Sequence, residues 1–177
     1  MTSEILIFHS EAEWLAWKGG ASPPRLGASS VAATIGLPVF GDDAASVIGR
    51  HAGTVPPIVS TVPMRLGLYL EQFVVGLYRE CTGRKVEWCG PDKRIWLHPC
   101  GLLYATLDSI VTYEDGTTGP LQVKTHSILW KSGFTKGKDG GLAGRELLEV
   151  QVQTERVCYD SQRASWVVLW MGCSKET

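Results

Sequence analysis

A chain of 177 residues with 44% hydrophobic and 20% charged content is long enough for one domain with a proper core. Its formal net charge of -1 excludes a protein that holds nucleic acid by overall charge, so any such contact must come from a local basic surface. No apolar run approaches the ~20 residues of a membrane span. The N-terminal MTSEILIFHSEAEW lacks the basic start and apolar stretch of a signal peptide, and five cysteines without a CxxC pair suit reduced cytoplasmic thiols.

Ser10-Glu-Ala-Glu13 is a capping-box pattern. It predicts a short helix from Glu11 to Lys18, with Trp14 and Trp17 on one face and Gly19-Gly20 as the stop. After a linker, Ser29 or Ser30 can cap a second helix through Ile35, and Gly41-Asp-Asp43 opens a third from Ala44 to His51. Gly53 to Pro63 reads as a Pro-rich loop. The main helix runs from about Pro63 to Thr82, with Leu66, Leu70, Phe73, Val74 and Leu77 as its apolar stripe and Gly83 at its end. Glu71 lies on the flank of that stripe, one turn after Gly67. A glycine there would admit a close neighbour. A glutamate there faces solvent unless something recruits it.

Val86 to Trp88 and Ile95 to Leu97 read as short strands. Leu103 to Ser127 reads as a β-hairpin, two runs rich in Val, Ile, Thr and Tyr flanking the turn cluster Glu114 to Pro120 with its Asp115-Gly116. Three polar residues stand out in it: Asp108, Gln122 and Lys124. Alternation points Gln122 and Lys124 the same way. If the register brings Asp108 alongside, an acid, an amide and an ammonium meet in one patch. On the opposite register all three lie on a solvated face.

Lys131 to Gly141, KSGFTKGKDGG, is a basic, Gly-rich loop. Lys131, Lys136 and Lys138 read either as a solvated connection or as contacts to a phosphate backbone. A helix from about Leu142 to Tyr159 places Leu147, Gln151, Thr154 and Cys158 on one face, where the amide of Gln151 needs a partner. Ala164 to Trp170 closes the chain with a strand. Helices, then strands, then a helix and a strand predict an α/β fold with a mixed sheet flanked by helices.

Asp108, a turn, then x-Val123-Lys124 on the next strand has the layout of the PD-(D/E)xK nuclease superfamily. Gly67-Leu-Tyr-Leu-Glu71 resembles its G-x-x-x-E helix, and His98-Pro99…Ala105-Thr-Leu-Asp108 resembles an "HP…GATPDG" strand. Gln151-Val-Gln153 resembles a Q-x-Q, and Leu26-Gly-Ala-Ser-Ser-Val-Ala-Ala resembles an "IGGSDVAA" segment. From about Arg25 to about Trp170 the chain resembles the YqaJ-type viral recombinase, or phage lambda exonuclease-like, family. One position departs: the family has Glu where this chain has Gln122.

The resemblance implies a restriction-endonuclease-like core and a Mg²⁺-dependent 5′→3′ exonuclease on double-stranded DNA ends, with Mn²⁺ as a substitute ion. It implies Asp108 as central metal ligand, with Gln122, the Val123 carbonyl and Glu71 completing the shell. Lys124 orients the attacking water, and Gln151 bonds an active-site water or the lysine. Arg25 and Ser29 correspond to a 5′-phosphate pocket. Arg25 stands nearer the serine than the family arginine does. A homotrimer around DNA and a single-strand annealing protein as partner are also implied.

Gln122 keeps the shape of Glu and loses its charge, which a hard dication values most. Three accounts fit: a Glu replaced to stop cleavage, a natural variant with altered metal use, or a relative that binds DNA without cutting it. A structure-specific endonuclease and a non-catalytic DNA-end-binding module are therefore the alternative functions.

Overall fold

A computed structural model of the chain describes residues 3–19, 24–37, 43–90, 94–127, 135–136, 142–143 and 146–171. In order the elements are β1 (Glu4–Ile7), α1 (Glu11–Gly19), β2 (Leu26–Gly27), α2 (Ala28–Thr34), α3 (Ala44–His51), α4 (Val62–Thr82), β3 (Lys85–Trp88), β4 (Arg94–Leu97) and β5 (Leu103–Ala105). They continue with β6 (Ser109–Thr112), β7 (Thr118–Ser127), β8 (Thr135–Lys136), β9 (Leu142–Ala143), α5 (Glu146–Tyr159) and β10 (Ser165–Met171). The α/β class is as expected, but the main strands divide over two mixed sheets. One has the order β1-β4-β5-β2, the other β10-β7-β6-β3, and β8 pairs with β9 apart from both.

The helix ends follow their capping chemistry. Ser10 Oγ accepts from the Glu13 amide at 3.2 Å, while the Glu13 carboxylate accepts from the His9 amide at 2.9 Å. Asp43 caps α3 through the Ser46 amide at 2.7 Å, and Thr61 caps α4 with proline in the first turn. Gly83 ends α4 at φ 68°, a left-handed conformation suited to glycine. Neither Ser29 nor Ser30 caps α2. Gly27 is its N-cap, without a side-chain bond, and Ser29 sits exposed in the first turn. The last helix begins at Glu146, four residues later than expected, because Leu142 and Ala143 pair with Lys136 and Thr135.

The central hairpin is shorter than the sequence suggested. Leu103–Ala105 belongs to the other sheet, and the chain crosses between sheets through Thr106-Leu107-Asp108. The hairpin proper is β6 and β7, with Ser109 opposite Leu121 and Thr112 opposite Thr118. Its turn closes over Tyr113 to Thr117, with Asp115 Oδ1 accepting from the Thr117 amide and hydroxyl at 3.1 and 2.6 Å. Pro120 therefore lies inside a strand and not in the turn. Pairing with β10 starts one residue later, at Leu121, so the missing N–H of proline breaks no bond of that ladder. Beside it, Gly119 passes so close to Arg163 that an added Cβ would stand 2.2 Å from the Arg163 carbonyl oxygen.

The β7 sheet separates two helices. Val74 and Val75 of α4 pack with Val86, Val111, Leu121 and Val123 on one face. Leu148 and Val152 of α5 pack with Trp166 and Val168 on the other. The inward stripe of α4 is thus Val74, Val75 and Tyr78, rotated from the expected one. Phe73 and Leu66 are 56% and 44% exposed. Helical spacing identifies an apolar face but does not say which part of a broad one the sheet covers. α5 also reaches the first sheet, where Cys158 and Tyr159 join Ala28, Trp96 and Ala105. Among the described residues no helix is long and apolar enough to cross a membrane.

Candidate active site

The crossover between the sheets sets the site. Asp108 is the last residue before β6, and the β6–β7 register brings it beside the middle of β7. Its carboxylate turns inward, where Oδ2 accepts from the Val123 amide at 2.8 Å and from the Gln122 side-chain amide. Gln122 is 3% exposed. It projects to the α5 side, opposite in direction to its neighbours Leu121 and Val123. Its Nε2 also lies 3.3 Å from the Val123 carbonyl, and its Oε1 accepts from Gln151 Nε2 at 2.8 Å. Gln151 Nε2 donates in turn to Glu155 Oε1 at 2.9 Å, one turn along α5. A continuous chain of bonds therefore runs from Asp108 through Gln122 and Gln151 to Glu155.

Two more expected residues belong to this neighbourhood. Glu71 of α4 accepts from Trp88 Nε1 at 2.9 Å, which fixes its carboxylate across from β3. Burial pushes the Glu71 carboxyl up to about 7, helped by the negative charge of Asp108 and opposed by the Trp88 bond and Lys124. Asp108 is also raised, first by burial. The charge of Lys124, the Val123 amide and the Gln122 amide pull it back down. Glu155 is 1% exposed and is pushed up to about 8 by burial and by Asp108, against Gln151 and Lys124. Its Oε2 has no hydrogen-bond partner among the described residues. Glu71 on α4 and Glu155 on α5 are thus each coupled to Asp108 and to Lys124 on the strand between them.

Glu155 and Trp88 were not among the expected site residues. Glu155 was legible: it lies four residues after Gln151 on the same helix face. Trp88 was not, because only the packing of β3 against α4 brings it to Glu71. Gly67 admits Thr125, whose Oγ1 would be 3.5 Å from an added Cβ. That is ordinary contact, so the position does not demand glycine.

Arg25 donates to the Trp17 carbonyl at 2.9 Å and lies 4.3 Å over the Trp17 ring. Trp17 in turn packs on Tyr104 at 5.4 Å. Among the described residues neither Arg25 nor exposed Ser29 hydrogen-bonds to the Asp108 chain. Lys131 and Lys138 lie outside the described residues. Lys136 is described only as backbone of β8.

A divalent cation would need oxygens where this site has an N–H. The Asp108 carboxylate and the Val123 carbonyl converge on one point, and Gln122 Nε2 occupies it. Gln151 holds the Gln122 oxygen turned away. Among the described residues no three His, Cys, Asp or Glu side chains gather into a metal cluster. Arranged in this way, the donor set does not fit Mg²⁺ or Mn²⁺.

No family model matches the chain, and no curated protein does either. Solved structures do resemble it. The alkaline exonuclease LHK-Exo from Laribacter hongkongensis is 23% identical, with a TM-score of 0.59 over 90% of this chain and 74% of that one. LHK-Exo in complex with dAMP is likewise 23% identical, with a TM-score of 0.61 over 89% and 73%. The chain therefore has the fold of an alkaline exonuclease.

Proposed function

We propose that this chain is a nuclease of the exonuclease type acting on double-stranded DNA ends, held slow or inactive by Gln122. The observation that carries the reading is the convergence of Asp108, Gln122, Val123 and Gln151 in one bonded cluster, with Glu71 and Lys124 beside it, on a fold shared with an alkaline exonuclease. An acidic hub with a neighbouring ammonium suits phosphodiester hydrolysis. Lys124 offsets phosphate charge and holds the attacking water, and Glu71, fixed by Trp88, orients that water from the helix side. Mg²⁺ or Mn²⁺ is the cofactor this chemistry calls for, supplying neutralising charge once position 122 carries a carboxylate.

The exposed apolar side chains of α4, Leu66, Leu68, Tyr69 and Phe73, support self-association, and we propose the homotrimer. A single-strand annealing protein is the partner that an exposed single strand would require.

The test compares the protein with Gln122→Glu on linear and closed-circular duplexes in Mg²⁺. Digestion of the linear form alone by Gln122→Glu supports an exonuclease. Cutting of the circle would make it an endonuclease. Tight binding of linear duplex with no cleavage by either protein would leave a DNA-end-binding module.

A further inference from the structure

We propose that the Gln122 carboxamide is a built-in plug of the cation position, locked in place by Gln151 and Glu155. The inference rests on the reading of this pocket as a cation site. It goes beyond the loss of a ligand charge: Gln122 is not a weak ligand here but a competitor for the site.

Three observations fix the orientation of the amide. Gln151 Nε2 reaches Gln122 Oε1 at 2.8 Å, so that end must be the acceptor. The other end faces two acceptors, Asp108 Oδ2 and the Val123 carbonyl, so it must be the donor. Gln151 is held in the same sense by a second bond, since its nitrogen also donates to Glu155 Oε1 at 2.9 Å. Turning Gln122 alone would set its oxygen against Asp108 and Val123 and its N–H₂ against Gln151 Nε2. Such a reversal leaves buried groups unpaired and is costly. A cation entering between Asp108 and Val123 must therefore displace the amide and reorganise Gln151. Glu155, which touches neither Asp108 nor Gln122 among the described hydrogen bonds, acts as a positioning residue for the whole chain.

The plug and the weak ligand predict opposite results for truncation. If the amide oxygen were a ligand, Gln122→Ala would bind a cation more weakly than the unchanged protein. If the amide is a plug, Gln122→Ala binds more tightly. The experiment is a Mn²⁺ titration of the full-length proteins, with free Mn²⁺ read by electron paramagnetic resonance and folding checked by circular dichroism. The expected result is at least about tenfold tighter Mn²⁺ binding by Gln122→Ala, and tighter still by Gln122→Glu. Gln151→Leu, which keeps Gln122 but removes its lock, is expected to gain a few-fold and serves if Gln122→Ala does not fold. Equal or weaker binding by the truncated or unlocked protein would overturn the proposal, as would absence of binding by every variant at millimolar Mn²⁺. Failure of the nuclease reading looks different: Gln122→Glu would bind Mn²⁺ and leave linear duplex intact.

Discussion

Glu155 offers a sharp test, because its burial makes stability depend on pH in a predictable direction. Its carboxyl is raised from the ordinary 4.5 to about 8, mainly by burial and then by the charge of Asp108. The folded protein therefore keeps a proton that the unfolded chain releases near pH 4.5. Between roughly pH 4.5 and 8 the folded state binds more protons, so stability falls as pH rises through that window. Each pH unit removes at most about 1.4 kcal/mol, and the full excursion is on the order of 5 kcal/mol. For a chain of this size that corresponds to roughly 10 °C in Tm. Glu155→Gln keeps an oxygen for Gln151 and cannot ionise. Calorimetric melts at constant ionic strength from pH 5 to 8.5 should show Tm falling steeply in the unchanged protein. The fall should be much shallower in Glu155→Gln, with the residue of the slope belonging to Glu71, whose carboxyl is raised to about 7, and to Asp108, which burial also raises. Parallel curves for the two proteins would show that Glu155 is not the buried ionising group.

Gly119→Ala places a methyl 2.2 Å from the Arg163 carbonyl oxygen and should lower stability by at least about 2 kcal/mol in urea denaturation. An unchanged midpoint would show that the strand and the Arg163 loop move apart easily. Arg25→Ala removes the Trp17 stack, and we expect it to destabilise the fold by about 1 kcal/mol while weakening 5′-phosphorylated and 5′-hydroxyl ends equally. Selective loss on phosphorylated ends would instead identify a phosphate-binding role for Arg25. Replacing Lys131, Lys136 and Lys138 together with Gln should make the slope of log K against log salt less steep by nearly 3, about 0.9 for each phosphate that is no longer neutralised. An unchanged slope would place DNA elsewhere.

Much of the site was legible in the sequence because its parts are short-range patterns. Alternation in β7 puts Gln122 and Lys124 on one face, and helix spacing puts Gln151 toward an interior that needs an amide partner. The division into two sheets was not legible, because β-prone residues flank Asp108 on both sides and read as one strand across the crossover at Thr106. That crossover is what delivers Asp108. Pro120 misled in the opposite sense: as a turn residue it lengthened the apparent loop, whereas tertiary pairing accommodates it in a strand. On α4 the pattern of apolar residues is wider than the stripe the sheet covers, so Phe73 was expected inside and lies outside. Trp88 shows the last limit, since its bond to Glu71 exists only after β3 has packed on α4.

In the proposed function Asp108 is the hub of a nuclease site in which position 122 sets activity. The most direct measurement is the rate at which Gln122→Glu degrades a linear duplex, compared with Gln122→Glu carrying Asp108→Asn as well. Cleavage by the first is expected, with a loss of at least about 100-fold in the second, roughly 3 kcal/mol of transition-state stabilisation. Equal rates for the two proteins would contradict it and place the chemistry away from Asp108.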